Sequence, residues 1–253
     1  MTRFVTTAGW QDTPHITQDT ANELAKSFPP NERDARMRGT PSLGSGAIYP
    51  VPESDIIVPP FKIPYYWKLA YGMDVGWNRT AAVWAAIDTE TDTSYLVSEH
   101  YRGQAEPPIH VESIKARGAW IPGFIDPNAR GRGQKDGEQL LVTYRELGLK
   151  IQPANNAVSA GLLEVWTLLS EGRLKVFSTL ANWLAEYRIY RRDESGKIVK
   201  DNDHLMDATR YLVMSGLDRA EFRPPELVRG LGGTRKQAEW SPREALDKES
   251  YGR

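Results

Sequence analysis

Asp74, Asp126, Asp203, His204 and Asp207 are the residues of this chain whose types and spacing suit them to act together. Asp74 stands in Tyr71-Gly72-Met73-Asp74-Val75-Gly76, one polar residue in an apolar run; its neighbours Met73 and Val75 face the other way because side chains alternate along a strand. Asp126 ends Gly123-Phe124-Ile125, at the carboxyl edge of a strand, where open sheets gather their ligands. Asp203, His204 and Asp207 open a helix, with 203 and 207 one turn apart and 204 and 207 three residues apart, hence neighbours on its surface. Carboxylate oxygens with one imidazole suit a hard divalent cation, Mg²⁺ or Mn²⁺. Two carboxylates ~4 Å apart repel by roughly 4 kcal/mol at an effective dielectric of about 20, so a cluster of them calls for positive charge. Two such ions about 3.5–4 Å apart would activate water on one side of a phosphodiester and stabilise the leaving oxygen on the other. Singly, each acid has a plainer role: Asp74 can shape a turn, Asp126-Pro127 can stop a strand, and Asn202 or Asp203 can cap a helix.

The elements that must position these acids follow from periodicity. Residues 69–75, 81–88 and 94–101 read as three strands joined by tight turns. A helix follows Pro107-Pro108, then a strand over 122–125, a helix over 137–147 closed by Gly148, and a strand over 149–152. Val158, Leu162, Val165, Trp166 and Leu169 mark the apolar face of a helix closed by Gly172, and 173–177 is another strand. Thr179 is the predicted cap of a helix carrying Leu180, Trp183, Leu184 and Tyr187. Residues 189–192 and 197–200 flank Asp193-Glu194-Ser195-Gly196 as a hairpin, and the last helix runs over 202–217. The expected fold is α/β, a mixed sheet of three antiparallel strands followed by parallel strands, with helices on both faces. Residues 1–61 carry Pro14, Pro29, Pro30, Pro41, Pro50, Pro52, Pro59 and Pro60 and read as a linker or the edge of a preceding domain. The predicted sheet and its helices make one domain over 62–219, and 220–253 reads as a flexible tail.

Composition narrows the chemistry. The chain has 253 residues, 26% charged and 40% hydrophobic, which excludes global disorder and a membrane-embedded chain. It has no Cys, so thiolate metal sites and cysteine nucleophiles are excluded, and a metal must sit mainly on oxygen. Neither end resembles a secretion signal, which predicts a cytosolic protein. A net charge of -1 conceals local basic clusters. Arg130, Arg132 and Lys135 lie in a Gly-rich loop after Asp126, where Lys135 or Arg130 could steady a phosphate. Arg188, Arg191, Arg192, Lys197 and Lys200 decorate the hairpin, and Arg79 lies in the turn after Asp74. These are candidate DNA contacts, although solvated loops carry such charges too. Asn155 and Asn156 could also reach substrate or simply form a turn.

Gly72-Met73-Asp74-Val75-Gly76 with Thr80, Asp126-Pro127-Asn128-Ala129, and Asn202 to Tyr211 resemble the nuclease domain of the large terminase subunit of tailed bacteriophages, over residues 62–218. The resemblance implies an RNase H-like fold and a metal-dependent endonuclease that cuts concatemeric double-stranded DNA with two Mg²⁺ or Mn²⁺ ions. Asp74 and Asp126 match the family's strand acids, and Asp207 with either Asp203 or His204 matches the helix contribution. Trp10 to His15, Glu32 to Gly39 and Gly46 to Pro50 resemble the end of the packaging ATPase domain and its linker. No Gly-rich loop ending in Gly-Lys-Ser or Gly-Lys-Thr occurs, so the packaging motor is expected outside this stretch. The implied partners are DNA, an N-terminal ATPase domain, the small terminase subunit and the portal or procapsid, in the host bacterial cytoplasm and with no membrane. Two other readings keep the fold: an actin- or sugar-kinase-like nucleotide-binding domain, suggested by Asp74-Val75-Gly76 and Thr80 but lacking a second phosphate turn, and a docking module for portal or capsid whose acids are structural. A resolvase or transposase is a nearer alternative, disfavoured by the first 50 residues.

Overall fold

A computed structural model describes residues 46–127, 136–193, 195–225 and 227, with residues 17, 19, 20, 23 and 24. Three antiparallel strands form its centre: β2 (Lys68–Asp74), β3 (Thr80–Asp88) and β4 (Thr93–Arg102). Their Val, Ala and Trp residues, with Tyr71, are buried on both faces, which is why these runs read as nearly continuous apolar segments. β5 (Gly123–Ile125) lies parallel to β2, and β6 (Ile151–Pro153) parallel to β5. On the far side β7 (Leu174–Phe177) runs parallel to β4, and β1 (Ile57–Val58) parallel to β7. The order is β1-β7-β4-β3-β2-β5-β6, with β8 (Glu221–Phe222) pairing the start of β2. The helices are α1 (Glu53–Ile56), α2 (Pro107–Lys115), α3 (Asp136–Glu146), α4 (Val158–Ser170), α5 (Ala181–Ile189) and α6 (His204–Tyr211), which continues into a π-helical turn, Leu212–Gly216. The expected mixed sheet with antiparallel and parallel strands and flanking helices is what forms.

The two faces are chemically distinct. On one, Tyr71 stacks on Trp84 at 5.1 Å between ring centres, and the Arg117 guanidinium covers Trp84 at 4.5 Å. His100 Nε2 meets His110 Nδ1 at 2.9 Å there, tying α2 to β4. Burial, with the Arg117 charge, lowers the His100 imidazole to about 3. These two histidines therefore serve packing. The other face carries Gly72, and α6 lies directly on it. A Cβ at Gly72 would stand 2.0 Å from the Ala208 carbonyl oxygen and 2.9 Å from Leu212 Cβ, so only glycine admits the helix at this depth.

Several local expectations change. Thr179 does not cap α5; the Glu99 carboxylate of β4 accepts from the N–H groups of Asn182 (3.0 Å) and Trp183 (2.9 Å). Asp203, at the N-cap of α6, makes no side-chain cap hydrogen bond, and the α5 residue Glu186 accepts from Leu205 N–H at 2.6 Å instead. A carboxylate from a neighbouring element satisfies a helix start as well as a local one does, and only the local kind can be read along the chain. Among the described residues the hairpin carries one bridge, Arg192 to Ile198, while Arg191 bridges Ala47 and Ile189 still belongs to α5. Its turn is held by Asp193 Oδ1, which accepts from Ser195 N–H, Ser195 Oγ and Lys197 N–H.

The segment ahead of residue 62 also contributes to this sheet. Tyr49, Val51 and Ile56 are buried in the core, β1 extends the sheet beyond β7, and Tyr187 Oη donates to Val51 O at 2.7 Å. β8 likewise lies in the stretch read as a tail. The rest of the 220–253 expectation, beyond residue 227, and most of residues 1–45 lie outside the described residues. Among the described residues no helix is long and apolar enough to cross a membrane.

Forcing a methyl group between β2 and α6 has a direct cost. Gly72→Ala is expected to destabilise the domain by about 3 kcal/mol, the upper end of ordinary overpacking, measured as the loss in urea unfolding free energy.

Candidate active site

Register places the first two acids together. Gly72 is opposite Phe124 and Met73 opposite Ile125, so Asp74 and Asp126 are the next residues along neighbouring parallel strands. Both fall on the Gly72 face, on strands spaced by about 4.8 Å. The close approach at Gly72 then brings the start of α6 over the same edge, where His204 Nδ1 donates to Asp74 Oδ2 at 2.9 Å. The β2–β3 turn closes beside them through Thr80 Oγ1 donating to Gly76 O at 3.1 Å.

Asp203 and Asp207 are held by cations of the chain itself, and Asp126 by an amide. Lys200 Nζ lies 2.8 Å from Asp203 Oδ2 and 2.9 Å from Asp207 Oδ2. Arg210 donates to Asp207 Oδ1 from Nη2 at 3.0 Å and from Nε at 3.3 Å. Asn156 Nδ2 donates to Asp126 Oδ1 at 3.2 Å. The sequence called for positive charge here, and Lys200 and Arg210 supply it, with the His204 imidazole hydrogen-bonded to Asp74. Among the described residues no three His or acidic groups stand close enough to hold one ion between them. The donor set of carboxylate oxygens and one imidazole on a single sheet edge nonetheless fits a hard divalent cation.

Electrostatics show how tightly the groups are coupled. Burial raises the Asp74 carboxyl above the ordinary range; the charges of Asp207 and Asp126 add to this, and the His204 hydrogen bond works against it. The bond to Asp74 raises His204, burial opposes it, and the charges of Glu186 and Asp203 add. Burial alone would lower Lys200, but its contacts with Asp203 and Asp207 hold it above the usual lysine value.

The candidate DNA contacts divide. Arg191 and Lys197 are exposed on the hairpin, and Arg192 Nη1 donates to Gly196 O at 2.9 Å. The hairpin runs on into Lys200, which places it beside the acids. The Arg79 guanidinium lies 4.3 Å from the Tyr101 ring centre, in the turn after Asp74. Arg188 is committed to Glu53 through two bonds, of 2.6 and 2.8 Å, on the α1 side. Arg130, Arg132 and Lys135 lie outside the described residues.

Sequence reasoning missed Arg210 and Glu186 and left Asn156 between two roles. Arg210 stands three residues after Asp207, a helix-neighbour spacing that carried the signal. Glu186 lies between the apolar positions 183, 184 and 187 of α5, an acid on a core-facing stripe. For Asn156 no sequence signal distinguishes a turn from a ligand to Asp126 and Arg210.

A family profile described as the terminase RNase H-like domain matches residues 71–215, a span that contains Asp74, Asp126 and all of α6. The chain belongs to that family, as the nuclease domain of a phage large terminase subunit. This terminase domain is 36% identical over 222 residues to the large terminase subunit of Enterobacteria phage LP7, covering 84% of this chain and 46% of that protein. The chain thus spans about half the length of the curated relatives it matches. The nuclease domain of the P22 large terminase superposes on it with a TM-score of 0.66 at 33% identity, covering 72% of this chain and 97% of that one. The nuclease domain of the SPP1 large terminase, solved with bound Mn, shares the fold with a TM-score of 0.50 at 19% identity, covering 64% and 96%.

Glu186 gives the terminase domain a pH signature. It is 2% exposed, and burial lifts its carboxyl to about 7. The folded form holds the proton where the unfolded form has lost it, so stability falls as pH rises from the ordinary carboxylate range through about 7, by up to roughly 1.4 kcal/mol per unit. Glu186→Gln should flatten that slope in urea titrations between about pH 5 and about pH 8.

Proposed function

We propose that this domain hydrolyses phosphodiester bonds of double-stranded DNA using divalent cations bound at the β2–β5 edge, and that within the longer protein this cutting begins and ends genome packaging. The observation that carries the reading is the convergence of Asp74, Asp126 and the first turn of α6 on one sheet edge. Asp74 and Asp126, on neighbouring strands, with Asp203, His204 and Asp207 at the start of α6, are the residues that would hold the cations. Two Mg²⁺ or Mn²⁺ ions would activate the attacking water and stabilise the departing 3′ oxygen; the Mn bound in the SPP1 nuclease domain supports a divalent cation in general.

The chain's own residues prepare this chemistry. His204 donates to Asp74 and fixes its carboxylate, and Lys200 lies against both Asp203 and Asp207 and offsets their mutual repulsion. Arg191, Arg192 and Lys197 on the hairpin, with Arg79 in the turn after Asp74, would contact phosphates without reading bases, as Arg130, Arg132 and Lys135 would from the loop after Asp126. Arg188 is the weakest of these candidates, because Glu53 already occupies it. Contacts to the ATPase domain, the small subunit and the portal or procapsid belong to the same proposal for the longer protein, as does its place in the host cytoplasm.

Asp74→Asn and Asp126→Asn should each keep the far-ultraviolet dichroism of the wild type and lose Mg²⁺- or Mn²⁺-supported plasmid nicking. Clean protein of either variant that still nicks would remove that acid from the site. Reversing the hairpin charges, Arg191→Glu with Arg192→Glu, should weaken DNA binding and flatten its log–log salt dependence by roughly 0.9 for each phosphate no longer neutralised, measured by fluorescence anisotropy across a salt series.

A further inference from the structure

A partly buried run of side chains links the two halves of the acidic edge. Asp207 Oδ1 of α6 accepts from Arg210, whose Nη1 donates to Asn156 Oδ1 at 2.8 Å, and Asn156 Nδ2 donates to Asp126 Oδ1 after β5. We propose that Arg210 and Asn156 are positioning residues of the metal site, a strut that sets the spacing between Asp126 and Asp207; the inference rests on the function proposed above.

Each joint of the strut is fixed from outside it. Arg210 is 2% exposed, and its guanidinium lies 4.6 Å from the Tyr211 ring centre. Its stem passes through a slot that exists because residue 161 of α4 is glycine: a Cβ there would stand 2.5 Å from Arg210 Cγ and 2.9 Å from Cδ. Asn156 sits in the β6–α4 connection. That connection is pinned by Asn155 N–H donating to Ser215 Oγ at 2.8 Å and by Ala157 N–H donating to Asn155 Oδ1 at 3.0 Å. An amide is the group this position requires, since one end must accept from a guanidinium and the other must donate to a carboxylate. An acid at 156 would repel Asp126, and an alkyl group would leave Arg210 Nη1 and Asp126 without this link.

The strut also divides the duties of Asp207. Buried Arg210 holds Oδ1, while Oδ2 is held by Lys200, whose side chain is 60% exposed. A cation arriving at Oδ2 therefore competes with a solvated lysine and leaves the strut in place. Partners of this kind tune metal affinity without touching the ion, typically by about 10–100-fold.

The test is Mn²⁺ titration by calorimetry on the wild-type domain, Asn156→Ala and Gly161→Ala, with urea unfolding and Mn²⁺-dependent nicking on the same preparations. Asn156 is only half-buried, so its variant is expected to fold; Gly161→Ala displaces the Arg210 stem by a different route. The strut predicts that Asn156→Ala weakens Mn²⁺ binding by about 10-fold or more and raises the Mn²⁺ needed for half-maximal nicking by a similar factor. Saturating Mn²⁺ should restore the maximal rate, which a general loss of structure would not allow. Wild-type affinity in a folded Asn156→Ala overturns the strut alone. A wild-type domain that neither binds Mn²⁺ nor nicks DNA overturns the functional reading and the strut with it.

Discussion

The approach of α6 to β2 at Gly72 is the constraint on which the site depends. A backbone carbonyl of the helix occupies the space that any other residue's Cβ would need. This contact sets the depth and rotation of α6, and through them the position of His204 over Asp74. Helix packing usually leaves the separation to side chains, with axes some 8–10 Å apart and room for adjustment. Here the helix rests on main chain, so its first turn cannot slide without a clash. The acids are thereby placed by van der Waals contact more than by attraction among themselves, which could not gather like charges.

Charge balance is the second layer. The pairs are graded by exposure: Arg210 is buried against Asp207, His204 is partly exposed on Asp74, and Lys200 reaches Asp203 and Asp207 from solvent. An exposed pair contributes little and exchanges readily, whereas breaking a buried one leaves an uncompensated charge. The buried pair thus fixes the edge, while the solvated lysine leaves Asp203 and Asp207 accessible from outside.

What the sequence conveyed follows from the range of the forces involved. Alternation and apolar runs marked β2, β3, β4, β5 and β7 to within a residue or two, because burial imposes a short local period. The ten residues from Asn202 to Tyr211 carried the family resemblance and contain both His204 and Arg210. The contacts that were not legible join distant parts of the chain. Glu99 starts α5 and Glu186 starts α6, in places where Thr179 and Asn202 or Asp203 offered local alternatives. Asn156 reaches Asp126 across 30 positions and Arg210 across 54, and no period encodes such a pairing. β1 escaped notice because two residues between prolines show no alternation.

The strap formed by residues 46–58 gives the domain a mechanical property. Gly46 O accepts from Arg192 N–H at 2.7 Å, Ile48 N–H donates to Tyr190 O at 3.1 Å, and β1 is zipped along β7. Tension on the polypeptide ahead of Gly46 would thus be shared between the sheet margin and the ribbon that leads to Lys200. The backbone leading into this fold is thus tied by main-chain hydrogen bonds to the ribbon that ends at Lys200, and a load on it would be borne there before it reached the central strands.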